Sequence, residues 1–262
     1  MKIKAKKSLG QNFLIDHNIL KQITDTTEIE NREILEIGPG SGNLTEYILK
    51  KKPKKVYVIE KDEKLSLMLN EKFNSKIEII NNDILKISEN TISNEKLIVF
   101  GNLPYNISTE ILSRWIVNLD KQVWFDKLIL MFQKEVANRI IAKSNTSNYG
   151  RLSILSHWKL NIEKIMDISP KCFFPRPKVD STLLVFSPKK NFFELQDSKN
   201  LEMITRVFFN QRRKMIKKPF NQIFNNPYKI SEKFNIDLNL RPQNIEPELY
   251  YKLTKEYEDL RS

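Results

Sequence analysis

Five short apolar runs, spaced so that a helix fits between each pair, constrain this chain more than any other feature. They are ILEI (34–37), VYVI (56–59), IEII (77–80), LIVF (97–100) and LILMF (128–132). A strand with one wet face alternates apolar and polar side chains. Runs that are apolar at nearly every position belong to strands covered on both faces. Helical spacing fills the gaps, at 43–52, 62–74, 108–118, 133–143 and 149–160, and Asp16 stands where it would cap a first helix through Ile19 and Ile23. Strands alternating with helices predict an α/β fold with a doubly wound, mostly parallel sheet. Two later runs, IEKIMDI (162–168) and STLLVF (181–186), bring the predicted sheet to seven strands. The link between them contains CFFPRPKVD (172–180), too short and proline-rich for a helical crossover, so these two are expected to pair antiparallel.

Beyond Ser187-Pro188 the pattern changes. Residues 190–262 show helical spacing and no convincing strand. Leu201, Ile204 and Phe208 share one helical face, and Pro247 suits the first turn of a last helix with Leu249, Leu253, Tyr257 and Leu260 on its apolar face. The 262 residues therefore divide into a predicted α/β domain, 1–188, and a small helical domain, 189–262. No run reaches about 18 apolar residues, so no membrane span is expected. The basic N-terminus has no apolar segment behind it, so no secretory signal is expected. A single cysteine, Cys172, rules out an internal disulfide and a multi-cysteine zinc site, and His17 and His157 lack metal-ligand spacing. No metal is expected, and the expected compartment is the reducing cytoplasm.

The net charge is +12, and a composition rich in Lys, Asn and Ile together accounts for part of it. Distribution is more telling. Residues 1–15 hold four lysines and no acid. Residues 203–231 hold Arg206, Arg212, Arg213, Lys214, Lys217, Lys218 and Lys229, again with no acid. A solvated helix face normally mixes signs, whereas acid-free basic segments are the footprint of a polyanion partner such as nucleic acid.

ILEIGPGSGNLT (34–45) reads as a buried strand, a turn with Gly38, Gly40 and Gly42, then a helix. The spacing is G-x-G-x-G. A dinucleotide fingerprint wants a third glycine where Asn43 stands, and no Lys-Ser/Thr follows to make a P-loop. Glu36 lies two residues before the turn. Glu60 ends the second strand, where a carboxylate can accept hydrogen bonds from both hydroxyls of a ribose. Asp83 follows the third strand, where it can accept one from an adenine amino group. Together these strand ends resemble the S-adenosylmethionine (SAM) site of class I methyltransferases. Ligands in such sheets bind at the carboxyl ends of the strands, which places Asn102, just past the fourth strand, beside the cofactor.

Residues 99–105 read VFGNLPY. An exocyclic amine on adenine is a poor nucleophile, because its lone pair is delocalised into the ring. Two acceptors on its two N–H groups favour a more tetrahedral nitrogen and localise that pair. The Asn102 side-chain oxygen and the backbone carbonyl of Leu103 or Pro104 are suitable acceptors, with Pro104 fixing the backbone. Tyr105 can stack on the base. The chemistry is direct displacement at carbon, driven by positioning and electrostatics, and it requires no strong base. A base must leave its stack to enter such a pocket. Phe173 and Phe174 are candidates for the opposite wall, and Phe173 is taken as the stacking ring.

The sequence closely resembles the ribosomal RNA adenine N6,N6-dimethyltransferase family, whose bacterial members confer kasugamycin sensitivity. The matching stretches are KKSLGQNFLID (6–16), ILEIGPGSGNLT, VIEKD (58–62), NNDIL (81–85), FGNLPYNIS (100–108), FQKEVANRI (132–140), YGRLS (149–153) and FFPRPKVDS (173–181), which span most of the chain. The resemblance implies SAM as methyl donor and two adjacent adenines near the 3′ end of 16S small-subunit rRNA as substrate, met either as the rRNA or in the assembling 30S subunit; a monomer away from membranes is expected. It implies that Asn12 and the Leu14 backbone join Gly38, Glu60, Asp83 and Asn102 around the cofactor. It gives Asn102, Pro104 and Tyr105 the target amine, Phe173 the flipped base, and the helical domain a share in holding rRNA. Glu110 stands where the family more often has proline, outside the chemical residues. A related family methylates large-subunit rRNA and gives macrolide resistance. Asn-Leu-Pro-Tyr and the GQNFLID opening favour the small-subunit reading. A non-catalytic ribosome-assembly factor would not need the intact Asn102–Tyr105 and Glu60/Asp83 groups, and a nicotinamide oxidoreductase fails on the glycine spacing.

Overall fold

In the computed structural model, which describes Lys6, 10–119 and 123–261, the apolar runs lie side by side in one sheet. The elements in chain order are β1 (Phe13–Leu14), α1 (His17–Thr24), β2 (Glu33–Ile37), α2 (Asn43–Lys50), β3 (Lys55–Ile59), α3 (Glu63–Phe73), β4 (Glu78–Ile80), β5 (Leu97–Asn102), α4 (Ser108–Asn118), β6 (Phe125–Gln133), α5 (Lys134–Ile140), α6 (Arg151–Lys159), β7 (Leu160–Ile168), β8 (Phe173–Phe174), β9 (Ser181–Pro188), α7 (Ser198–Phe209), α8 (Lys217–Ile223), α9 (Pro227–Lys233) and α10 (Pro247–Asp259). Lys2, Lys4 and Lys7, three of the four lysines in the acid-free N-terminal stretch, lie outside the described residues.

The sheet has seven strands in the order β4-β3-β2-β5-β6-β9-β7. β2 pairs in parallel with both β3 and β5, β3 with β4, and β5 with β6, while β9 runs antiparallel to β6. The chain fills the sheet outward from β2 in one direction, then returns to place β5 on its other side. That reversal opens a crevice at the carboxyl ends of β2 and β5. The central strands are buried on both faces: Leu35, Val58, Val99, Phe100, Leu128 and Leu130 are fully or almost fully enclosed. Each such side chain contributes about 1.5–3 kcal/mol of burial.

Two local expectations change. The run 77–80 is an edge strand, not a covered one; Glu78 is exposed and pairs with Lys55 at 2.7 Å. A small antiparallel ribbon, β1 with β8, joins Phe13 to Phe174 and Leu14 to Phe173, and local patterning gave no sign of it. Asp16 caps α1 as expected, accepting the N–H groups of Asn18 and Ile19.

The chain divides into two compact units. The first holds the sheet and comprises residues 1–115, 119–137 and 161–188. The second comprises 116–118, 138–160 and 189–262, so it gathers more chain than the expected 189–262. Its interior is aromatic, with Tyr149, Trp158, Phe208, Phe220 and Tyr250 enclosed. Each buried phenol finds an acceptor: Tyr149 donates to the Ile245 carbonyl, Tyr250 to Pro242 and Tyr251 to Ile154, each at 2.8 Å. The stretch YGRLS is thus architectural, because Tyr149 fills this core and the Ser153 hydroxyl donates to the Arg139 carbonyl at 2.8 Å. On α10 Tyr250, Tyr251, Leu253, Thr254, Glu256 and Glu258 are buried; of the expected face Leu253 is covered, Leu249 and Tyr257 are half-buried and Leu260 is exposed.

Candidate active site

A cleft of about 220 Å³ opens at the strand ends of the first unit. It is lined by the turn after β2, the ends of β3 and β4, the segment after β5 and residues 10–14. Gly38, Gly40 and Gly42 have φ of +65°, +58° and +75°. Such left-handed values suit glycine. A side chain at Gly40 would also collide with the Phe13 ring, 2.7 Å from its first carbon. At Gly38 the added carbon would meet only the Asn102 carbonyl, at 3.9 Å, and would stand in the cleft itself.

Glu60 follows β3 and is 6% exposed. Its carboxylate accepts the Gly40 N–H at 3.2 Å and the Asp62 N–H at 2.8 Å. The Asn81 side chain donates to the Glu60 carbonyl at 2.8 Å. Burial raises the Glu60 pKa above the ordinary glutamate value, against the pull of those N–H groups. Glu36, inside β2, is more enclosed still. It accepts the Thr45 hydroxyl at 2.6 Å, and burial pushes its pKa up to about 7. Asp83 differs. Lys61 sits 2.7 Å from one oxygen, the Leu85 N–H donates to the other at 3.0 Å, and the lysine holds the carboxyl below its usual range.

Residues 10–14 line one side of the cleft, and this N-terminal strap is held by several ties. Lys6 pairs with Asp62 at 2.8 Å, and Gln11 donates to the same carboxylate at 3.3 Å. Burial alone would raise the Asp62 pKa, but Lys6, Gln11 and the Lys64 N–H outweigh it and the net shift is downward. Asn43 donates to the Leu14 carbonyl at 2.8 Å. Asn102 donates its side-chain N–H to the Asn12 carbonyl at 2.8 Å. A carbonyl can only accept, so this bond fixes which way the Asn102 amide faces. Nδ2 is spent on the strap and Oδ1 remains as an acceptor. The Pro104 carbonyl accepts the Ile107 N–H at 3.1 Å, whereas no described residue donates to the Leu103 carbonyl. Of the two carbonyls left open by the sequence, Leu103 keeps both lone pairs free of described donors and Pro104 keeps one.

The Tyr105 hydroxyl shares a 2.7 Å hydrogen bond with Ser181, and burial raises its pKa above the ordinary tyrosine value. Asn12, Leu14, Gly38, Glu60, Asp83, Asn102, Pro104 and Tyr105 all line the cleft. Phe173 does not. It is 3% exposed, faces Leu14 across the β1–β8 ribbon and belongs to the apolar core. Phe173 is thus packed into the core beside the cleft, and the exposed ring next to it is Phe174, at 59%. Asn43 was missed as a site residue; its signal was its position, where a dinucleotide fingerprint would carry its third glycine. No cluster of three or more His, Cys, Asp or Glu placed to hold a metal ion exists among the described residues. No helix among them is long and apolar enough to cross a membrane.

The reversal between β2 and β5, the glycine turn and the acid closing β3 define a SAM-dependent methyltransferase of the class I fold. Residues 2–259 match the model of the ribosomal RNA adenine dimethylase family. The chain is similar to a ribosomal RNA small subunit methyltransferase A from Pelagibacter ubique, 69% identical over 261 residues covering all of both chains. It is 40% identical to one from a Wolbachia of Drosophila simulans, over 98% of this chain and 95% of that one. Among solved structures it resembles a dimethyladenosine transferase from Plasmodium falciparum, with TM-score 0.77, 25% identity and coverage of 94% and 98% of the two chains. It shares the fold of the 23S rRNA methyltransferase ErmE, with TM-score 0.68, 22% identity and coverage of 94% and 99%. The chain belongs to the ribosomal RNA adenine dimethylase family.

Proposed function

We propose that this protein dimethylates the N6 amines of two adjacent adenines near the 3′ end of 16S small-subunit rRNA, working as a cytoplasmic monomer on the assembling 30S subunit, with SAM and no metal. The observation that carries the chemistry is that Asn102 Oδ1 and the Leu103 carbonyl, on two residues lining a methyltransferase cleft, are taken by no described donor. The relatives named as small-subunit methyltransferases support the choice of rRNA.

The residues present fit the cofactor. Glu60 offers carboxylate oxygens for ribose hydroxyls, Asp83 an acceptor for the adenine amino group, and the bare Gly38 leaves the space a side chain would fill. When bound, SAM supplies an electrophilic methyl group. The protein's part is to hold the target amine. Asn102 Oδ1 and the Leu103 carbonyl accept its two N–H groups and localise its lone pair. The Tyr105 ring holds the base in line. The methylated amine sheds its extra proton to water, since the amine of a substituted adenine is a very weak base.

In the second unit, Arg213, Lys214, Lys217 and Lys218 are exposed and suit phosphate contacts. Arg212 serves the fold, because its guanidinium donates to the carbonyls of Thr146 and Ser147. The reading is tested by incubating the enzyme with labelled SAM and either unmodified small subunits or large-subunit RNA, then mapping label. Label on paired adenines of the small subunit is expected. Label confined to large-subunit RNA, or none on either, overturns it.

A further inference from the structure

The stretch FFPRPKVDS ends on Ser181, and the chemistry of the cleft does not by itself account for a serine there. Ser181 opens β9 and is fully enclosed, at 0% exposure. A buried hydroxyl needs a partner, and the partner is Tyr105, at 2.7 Å. We infer that Ser181 is a positioning residue for methyl transfer, which through this bond holds the tip of the Tyr105 ring and so fixes where the ring lies. The inference rests on the reading that Tyr105 carries the target base.

The geometry makes Ser181 a fixed post. β6 lies between the two strands concerned, with Asn102 of β5 opposite Met131 and Ser181 of β9 opposite Gln133. Backbone ladders therefore set the spacing between the residue that addresses the amine and the residue that holds the ring. The positions flanking Ser181 are tied as well. The Asp180 carbonyl accepts the Lys134 N–H at 2.9 Å, and the Thr182 hydroxyl donates to Asp167 at 2.7 Å. Asp167 is itself paired with Lys134 and Lys164, each at 3.0 Å.

Tyr105 is thereby held at both ends. Its backbone sits in the Pro104–Ile107 turn, where its carbonyl accepts the Ser108 hydroxyl at 3.3 Å. Its tip is held by Ser181. A tyrosine fixed only at its backbone can change rotamer, and a ring anchored at its tip cannot do so without breaking the bond. A stacking surface set before the base arrives saves the cost of ordering it afterwards.

The test measures single-turnover transfer to unmodified small subunits at saturating SAM, for Ser181→Ala, Tyr105→Phe, the double variant and Tyr105→Ala, with SAM affinity and melting temperature alongside. Ser181→Ala and Tyr105→Phe are each expected to slow transfer by about ten- to a hundredfold. The double variant should be no slower than either, because both remove one bond, and SAM affinity should stay near wild type. Wild-type transfer in Tyr105→Phe or Ser181→Ala, or losses that multiply in the double variant, overturns the inference. If Ser181→Ala does not fold, Tyr105→Phe decides, since it removes the same bond from the other side and keeps the ring. Undiminished transfer in Tyr105→Ala sinks the underlying reading of Tyr105 instead, which separates the two failures.

Discussion

The two sides of the cleft are built from different chemistry. The side formed by β2, β3 and β4 presents carboxylates: Glu36, Glu60 and Asp83. The side formed by β5 presents an amide, a backbone carbonyl and a phenol: Asn102, Leu103 and Tyr105. Two of the three carboxylates are buried and shifted upward into or toward the neutral range. On the other side nothing titrates near neutrality, since burial moves Tyr105 further from it. Binding of the cofactor should therefore respond to pH, and the handling of the target amine should not. The two sides should also separate under mutation.

The largest effect is expected from Asn102→Ala, which removes the oriented acceptor. Transfer at saturating cofactor should fall by at least about a hundredfold, the scale seen when one preorganised hydrogen-bonding group is lost from a reacting centre, while rRNA binding persists. Single-turnover assays and filter binding measure both. Normal turnover would remove the role assigned to this side of the cleft.

Glu60→Ala addresses the other side. Loss of a charged hydrogen-bond acceptor should weaken SAM binding by about 10- to 100-fold, read by calorimetry. Transfer should largely recover when SAM is raised to saturation. A variant whose turnover stays low at saturating SAM would mean that the two sides are not separable, because Glu60 also braces the Gly40 turn.

Acidification gives a smaller change. As pH falls through about 7, Glu36 takes up a proton, and Glu60, whose pKa burial also raises, does so at a higher pH than an ordinary glutamate. Glu60 then loses an acceptor and the cleft loses negative charge, so SAM affinity should fall by about tenfold per unit where one such group controls binding. The single-turnover rate at saturating SAM should stay flat from about pH 6 to 9, as the Asn102 amide and the Leu103 carbonyl do not titrate. A sloping rate with a flat affinity would reverse the comparison.

The contrast was unevenly legible in the sequence. The parallel sheet could be read because covered strands are apolar at successive positions, and Ile34, Val58 and Phe100 are buried as that pattern requires. Glu60, Asp83 and Asn102 were legible from strand ends, whereas Asn12 and Leu14 came only from the resemblance. Side-chain orientations were not legible, because the partners are distant in sequence. Asn102 is turned by a carbonyl 90 residues earlier and Tyr105 by a serine 76 residues later. The burial of Phe173 was hidden for the same reason: it depends on what faces the ring, here Leu14 across a two-residue ribbon that carries no periodicity. The edge position of β4 was hidden because an edge strand can be as apolar as a central one.

The smallest predicted effect concerns stability and tests whether the carboxylate side is built for binding at a cost to the fold. The Glu36 carboxyl holds its proton more tightly in the folded chain than in the unfolded one, with its pKa raised by burial to about 7. Such a group contributes stability that is fully present below its unfolded pKa and is lost as pH rises through its folded value. At pH 8 the folded protein therefore carries a buried charge held, among the described residues, by the Thr45 hydroxyl. Glu36→Gln keeps an acceptor for Thr45 and removes that charge. It should stabilise the cofactor-free protein at pH 8 by on the order of 2 kcal/mol, a rise of a few degrees in melting temperature, and change it little at pH 5. The gain should vanish when SAM is present at saturation if the ionised carboxylate serves cofactor binding. A variant that melts lower than wild type at pH 8 would show that the charge is well solvated, and would place Glu36 with Asp83 as a stabilised carboxylate.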